Sequence, residues 1–157
     1  MSEAYSRAWR DSIEQPERFW SEAAKALEWT SAPSRVWDED GGWFPGGMLN
    51  TAHNCLDRHV AAGRGEAAAL IYDSPVTDTV RRYSYAELLE ETGRVAAMLA
   101  SLGVGRGDRV VLYMPMIPET VFAMLACARL GAIHSVVFGG FAALELAKRI
   151  DDATPKV

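Results

Sequence analysis

The chain has 157 residues, 49% of them apolar and 24% charged, which is the balance of an ordinary globular protein with enough chain for a sizeable core. Its formal net charge of -5 argues against nucleic acid or an anionic membrane surface as a partner. No apolar run approaches the ~18 residues of a membrane span.

Residues 1–7 are acidic and polar where a signal peptide needs a basic and then an apolar stretch, so a cytoplasmic location is expected. Helix is expected from Tyr5 to Leu27 in two pieces, with Pro16 opening the second. Trp9, Trp20, Trp29, Trp37 and Trp43 all fall in this first part of the chain. Aromatic rings in a loop-rich segment usually pin the loops to a larger body. From Thr30 to Gly47 there is no sustained period, and a long ordered loop is expected.

Asn50 suits the N-cap of a helix through about Ala62, with Cys55, Leu56, His59 and Val60 inward and Gly63 closing it. Cys55 and Cys127 are the only cysteines. His53, Cys55 and His59 lack a fourth ligand, so no metal site is expected and both thiols read as free core thiols. Ala68–Tyr72 and Val80–Tyr83, separated by the turn-rich DSPVTD, read as a hairpin at the edge of a sheet. Ser84 and Glu87 form a capping-box pair. Leu88, Thr92, Val95, Leu99 and Leu102 then repeat at helical spacing up to Gly103.

The most informative stretch is Gly107 to Phe141. Val110–Tyr113 is a short apolar run bounded by breakers, as a buried strand is. Pro118 can occupy a first helical position and Glu119 suits the positive end of the helix dipole. Residues Val121 to Ala128 are apolar on every side, and Gly131 stands where a left-handed C-terminal residue is wanted. A second apolar run, Ser135–Phe138, stops at Gly139–Gly140. Strand, helix, strand makes a βαβ unit with parallel strands. A further helix through about Asp151 carries Leu144, Ala147 and Ile150 on one face, with a Glu145–Arg149 pair on the other. The rhythm places another parallel strand at Lys156.

Gly139–Gly140 falls just past a strand and before a helix. In open α/β sheets ligands bind at that carboxyl edge, where the loop Met114–Ile117 also emerges. Two glycines let a ligand approach the backbone, and a helix N-terminus favours phosphate. The alternative is a tight strand-to-helix turn with no ligand. His134 at the strand start reads as structural, Asp108–Arg109 as turn chemistry, and Asp151–Asp152 as a solvated helix end. The residues alone therefore imply an α/β domain with a candidate anionic-ligand edge, the plain turn being the favoured reading of the glycine pair, and no complete active site.

The segment GDRVVLYMPMIPETVFAMLACARLGAIHSVVFGGF (Gly107–Phe141) closely resembles the N-terminal part of AMP-forming short-chain acyl-CoA synthetases, the acetyl- and propionyl-CoA synthetase group. PERFW (Pro16–Trp20), WFPGGMLNTAHNCLDRH (Trp43–His59) and RRYSYAELLEE (Arg81–Glu91) carry the same resemblance. YDSPVTDT (Tyr72–Thr79) and the residues after the glycine pair look more like propionyl- than acetyl-CoA synthetases. The resemblance implies the αβα fold of adenylate-forming enzymes, truncated. Residues 1–62 would form a Trp-rich N-terminal extension, and 63–157 the start of the adenylation domain. It also implies a ligase that turns a short carboxylic acid, ATP and Mg2+ into an acyl-adenylate and then, with CoA, into acyl-CoA.

In that family the catalytic groups lie downstream of Val157, so the fragment alone is expected to be inactive, with no catalytic residue here. Phe138, Gly139 and Gly140 match the segment that lies against the CoA nucleotide. Self-association through an open sheet edge is also expected. The competing reading is a free-standing, non-catalytic CoA- or nucleotide-binding or dimerisation module.

Overall fold

A computed structural model describes residues 2–157. They divide into two compact units that meet between Leu49 and Asn50.

The first unit opens with helix α1 (Glu3–Glu14), capped where the Ser2 hydroxyl accepts from the Tyr5 N–H. Helix α2 (Pro16–Ala24) follows after one residue, with Pro16 in its first turn as expected. The segment after it is mostly irregular but ordered. It contains one small antiparallel pair, β1 (Trp37–Asp38) with β2 (Gly42–Trp43). Its ends are tied where the Thr30 N–H donates to the Met48 carbonyl and the Met48 N–H to the Ser31 carbonyl. Rings run through the unit in edge and tilted contacts, Phe19–Trp20, Trp20–Trp43, Trp37–Trp43, Trp43–Phe44 and Trp29–Phe44. The Trp20–Trp43 contact and the hydrogen bond from the Trp29 indole to the Ala24 carbonyl tie the loop to α2 within this unit, while Trp9, Trp20, Trp37 and Trp43 all remain exposed.

The second unit begins with a helical segment from Thr51 to Arg64 that holds two wide, π-helical turns, His53–Asp57 and Val60–Arg64. Asn50 caps it, its Oδ1 accepting from the His53 N–H at 3.1 Å. The Asn50 amide also donates to the Ala128 and Arg129 carbonyls. Arg129 clasps Asp57 with two hydrogen bonds, 2.6 and 3.2 Å long. The inward face differs from the expectation. Leu56, Ala52 and Asn54 are buried, whereas Cys55 is exposed. A π-turn carries more residues than an α-turn, which rotates Cys55 away from the interior face that 3.6-residue spacing assigned it. Gly63 leaves the helical conformation at φ +77° and breaks the segment there, the left-handed geometry expected of a closing glycine.

Strands β3 (Ala68–Ser74) and β4 (Thr79–Ser84) pair antiparallel, Tyr72 opposite Arg81. The hairpin is as expected, but it forms its own two-stranded sheet rather than the edge of a larger one. Helix α3 (Tyr85–Ser101) starts at a complete capping box. The Ser84 hydroxyl accepts from the Glu87 N–H, and the Glu87 carboxylate accepts from the Ser84 N–H. Leu88, Thr92, Ala96 and Leu99 are its buried face, and Leu102 lies past its end and exposed.

Strand β5 (Arg109–Met114), helix α4 (Pro118–Leu130) and strand β6 (Ile133–Phe138) make the βαβ unit. The strands are parallel and in register from Arg109 opposite Ile133 to Met114 opposite Phe138. Gly131 ends α4 in the left-handed conformation, φ +70°. One core cluster joins α3, α4 and β5 through Leu99, Val110, Leu112, Ala126 and Cys127. A second joins Leu56, Tyr83, Leu88 and Phe122. Each fully buried leucine or valine contributes ~1.5–3 kcal/mol.

Helix α5 (Ala143–Ala153) turns Glu145 and Arg149 toward the protein and leaves Leu144 and Ile150 exposed. Beyond it the Lys156 N–H donates to the Arg109 carbonyl and the Val111 N–H to the Val157 carbonyl. Both partners advance in the same direction, so residues 156–157 lie beside β5 in the sense of a parallel neighbour, where the rhythm placed a strand.

Candidate functional site

The register Met114 opposite Phe138 brings the ends of β5 and β6 out side by side. The chain leaving β5 is stiffened at once. The Pro115 carbonyl accepts from the Thr120 hydroxyl at 2.8 Å and from the Ile117 N–H at 2.9 Å, holding Pro115–Ile117 against the start of α4. The chain leaving β6 closes a turn in which the Phe141 N–H donates to the Phe138 carbonyl. The Tyr113 hydroxyl donates to the Phe141 carbonyl at 2.8 Å, tying that turn back to β5.

Gly139 and Gly140 are needed for proximity, because neither is among the glycines with positive φ. A Cβ at Gly139 would lie 3.1 Å from the Met114 carbonyl carbon and from the Pro115 nitrogen. A Cβ at Gly140 would lie 2.6 Å from the ring of Phe138. The Phe138 ring is half-exposed and packs edge-on to Phe141, centroids 5.9 Å apart. The Arg149 guanidinium caps the other aromatic, 5.0 Å from the Phe141 centroid, and pairs with Glu145 at 3.3 Å. Hydrogen bonds from Lys148 and then Arg149 hold the Glu145 carboxyl below the usual carboxylate range.

These two segments and the β3–β4 turn, Tyr72–Thr77, line one cleft of about 580 Å³. Its size is that of a small-molecule or cofactor site. Aromatic rings, prolines, Met116 and glycine backbone make up most of its wall. Asp73 is its one acidic lining residue, and none of the described residues lining it is lysine or arginine. Helix α5 starts behind the glycine turn with no side chain capping its first N–H groups, which leaves donors for an acceptor near the turn.

Sequence reasoning reached Phe138, Gly139, Gly140 and the loop Met114–Ile117. It missed the hairpin wall, because no spacing signal connects Tyr72–Thr77 to residues some forty and more positions downstream. The other residues it weighed lie elsewhere. His134 pairs with Val110 near the start of β6. Asp108 accepts from the Gly105 N–H at 2.8 Å and from Lys156, turn chemistry at the opposite end of β5. Cys127 is buried, which raises its thiol pKa. Among the described residues no three His, Cys, Asp or Glu side chains group to hold a metal ion, and no helix is long and apolar enough to cross a membrane.

The family model for AMP-binding enzymes matches residues 57–157, and that for the acetyl-coenzyme A synthetase N-terminus matches residues 5–55. The chain therefore belongs to the AMP-binding enzyme family, as the N-terminal part of an acetyl-CoA synthetase family member. An acetyl-coenzyme A synthetase of Deinococcus radiodurans is 51% identical over 98% of this chain and 24% of its own length. The mitochondrial acyl-CoA synthetase short-chain family member 3 of Rattus norvegicus is 49% identical over 98% of this chain and 23% of its own. Among solved structures, an acetoacetyl-CoA synthetase from Streptomyces lividans superposes with a TM-score of 0.84 at 32% identity, over 93% of this chain and 23% of that one. The chain thus spans about a quarter of the length of the relatives it matches, and its fold is the N-terminal region of the adenylate-forming fold.

Proposed function

We propose that this chain is the N-terminal quarter of a ligase that activates a short carboxylic acid. In the parent, the carboxylate attacks the α-phosphorus of ATP, with Mg2+ balancing the phosphate charge, and pyrophosphate leaves. The CoA thiol then attacks the acyl carbon and AMP leaves. Residues 1–62 serve as the N-terminal extension and 63–157 as the start of the adenylation domain. Propionate is the preferred acid, a reading supported by YDSPVTDT at Tyr72–Thr79 and by the residues after the glycine pair. The ratio of kcat/KM for propionate over acetate in the full-length enzyme decides it.

Phe138, Gly139 and Gly140 receive the CoA nucleotide. The observation that carries this assignment is the cleft itself, built where β5 and β6 end in register, with glycine backbone on one wall. The test is Gly140→Val in the full-length enzyme. Valine there displaces the Phe138 ring and fills the approach to the backbone. The acid-dependent exchange of pyrophosphate into ATP should persist, while the KM for CoA rises about tenfold for each hydrogen bond to the nucleotide that is broken. A parallel fall in exchange and CoA transfer, with a lower Tm, would show a structural turn and reject the CoA role.

A further inference from the structure

We infer that Tyr72, on the β3–β4 hairpin, is the second aromatic wall of this cleft and stacks on the planar base of the bound nucleotide. The inference rests on the proposal that the cleft takes the CoA nucleotide, and adds which residue reads which part of it.

Strand β3 alternates from Leu70 onward. Leu70 packs against the buried cluster of Tyr83 and Phe122. The register with β4 is unbroken from Leu70 to Ser74, so Tyr72 lies on the same face as Leu70. That face carries Tyr72 to the cleft, where it is half-buried and lines the same cavity as Phe138 from the other sheet. The charge of the lining says which part of a nucleotide enters. A polyphosphate would meet Asp73 and no cationic lining side chain, whereas a neutral, flat ring would meet two aromatic side chains, Tyr72 and Phe138, and proline. The base therefore sits between hairpin and glycine turn, and the phosphates face outward.

The experiment uses the full-length enzyme with two acceptor thiols, CoA and pantetheine, the second lacking the nucleotide. Tyr72→Leu keeps apolar bulk but loses the ring, and Tyr72→Phe keeps the ring. For Tyr72→Leu we expect kcat/KM for CoA to fall roughly tenfold, the scale of one aromatic–base stack, with kcat/KM for pantetheine unchanged. Tyr72→Phe should stay within about twofold of the parent for both thiols. Should Tyr72→Leu fold poorly, binding of adenosine 3′,5′-bisphosphate to Tyr72→Phe, which keeps the ring, and to Tyr72→Val, a ring-less residue suited to a strand, replaces it, and roughly tenfold weaker binding by Tyr72→Val alone is expected. Equal losses with both thiols, no loss with CoA, or equal binding of the bisphosphate by Tyr72→Phe and Tyr72→Val overturns the inference. If Gly140→Val raises the KM for CoA while Tyr72→Leu leaves it alone, the hairpin wall is rejected and the CoA cleft stands. If neither variant affects CoA, both readings fall.

Discussion

At the scale of single residues, the two adjacent glycines play different parts although they share one turn. A side chain at Gly139 would press on backbone atoms of Met114 and Pro115, which belong to a strand end and a loop pinned by Thr120. Those atoms cannot rotate away. A side chain at Gly140 would press on the Phe138 ring, a side chain that is 56% exposed and can change rotamer at the cost of its edge contact with Phe141. Gly139→Ala should therefore destabilise the protein by ~1–3 kcal/mol as an overpacked site. Gly140→Ala should stay within about 0.5 kcal/mol of the parent. Thermal unfolding of the two variants in the full-length protein checks this, and equal Tm values would contradict it. The same distinction separates the valine test of the CoA role from a general loss of fold.

At the scale of elements, helix α3 is organised by its first turn. Its capping box satisfies the N–H groups of Glu87 and Ser84 reciprocally. The Glu87 carboxyl is held below its ordinary range, first by the hydrogen bond from the Ser84 backbone and then by that from the Ser84 side chain. A carboxyl whose pKa is lower in the folded state stabilises fully above its unfolded value and loses that contribution as pH falls through the folded one. The helix start should thus weaken below about pH 4. Glu87→Gln can still accept the Ser84 N–H but does not titrate. Its unfolding midpoint in urea should be less sensitive to pH between about 3 and 5 than that of the parent. Asp108, held down by the Gly105 N–H and then by Lys156, titrates with the same sign and remains in both proteins. Identical acid limbs for parent and variant would show that the box carries no charge-dependent stability.

At the scale of the whole chain, the parallel pair leaves apolar surface unpartnered. Strand β6 bonds only to β5 among the described strands, and Ile133, Val136 and Phe138 on it stay exposed. Leu144 and Ile150 on α5 are exposed too. An edge with free N–H and C=O groups beside apolar side chains is a template for association. The 157-residue chain in isolation should therefore self-associate. Light scattering at micromolar concentrations checks this, and a concentration-independent monomer mass would count against it.

Local signals made much of this architecture legible. Pro16, Asn50, Ser84 with Glu87, Pro118 and Gly131 each act within one turn of chain, so helix starts and stops could be read from neighbours a few positions apart. Short β-branched runs around a single helix likewise forced the parallel βαβ unit, and with it the edge where Gly139–Gly140 emerges. Two features depended on contacts between distant residues. The wide turns at His53–Asp57 put Cys55 outside, a register no spacing rule foretells because the choice between α- and π-turns follows from packing. The placing of the Tyr72–Thr77 turn against Phe138–Gly140 arose from how β3 and β4 pack through Leu70 and Tyr83 on α3 and α4. Local chemistry settled which residues could bend, cap and approach a ligand. Only long-range burial of apolar faces decided which of them share a cleft, because that choice is made by the summed packing of both sheets and not by any one segment.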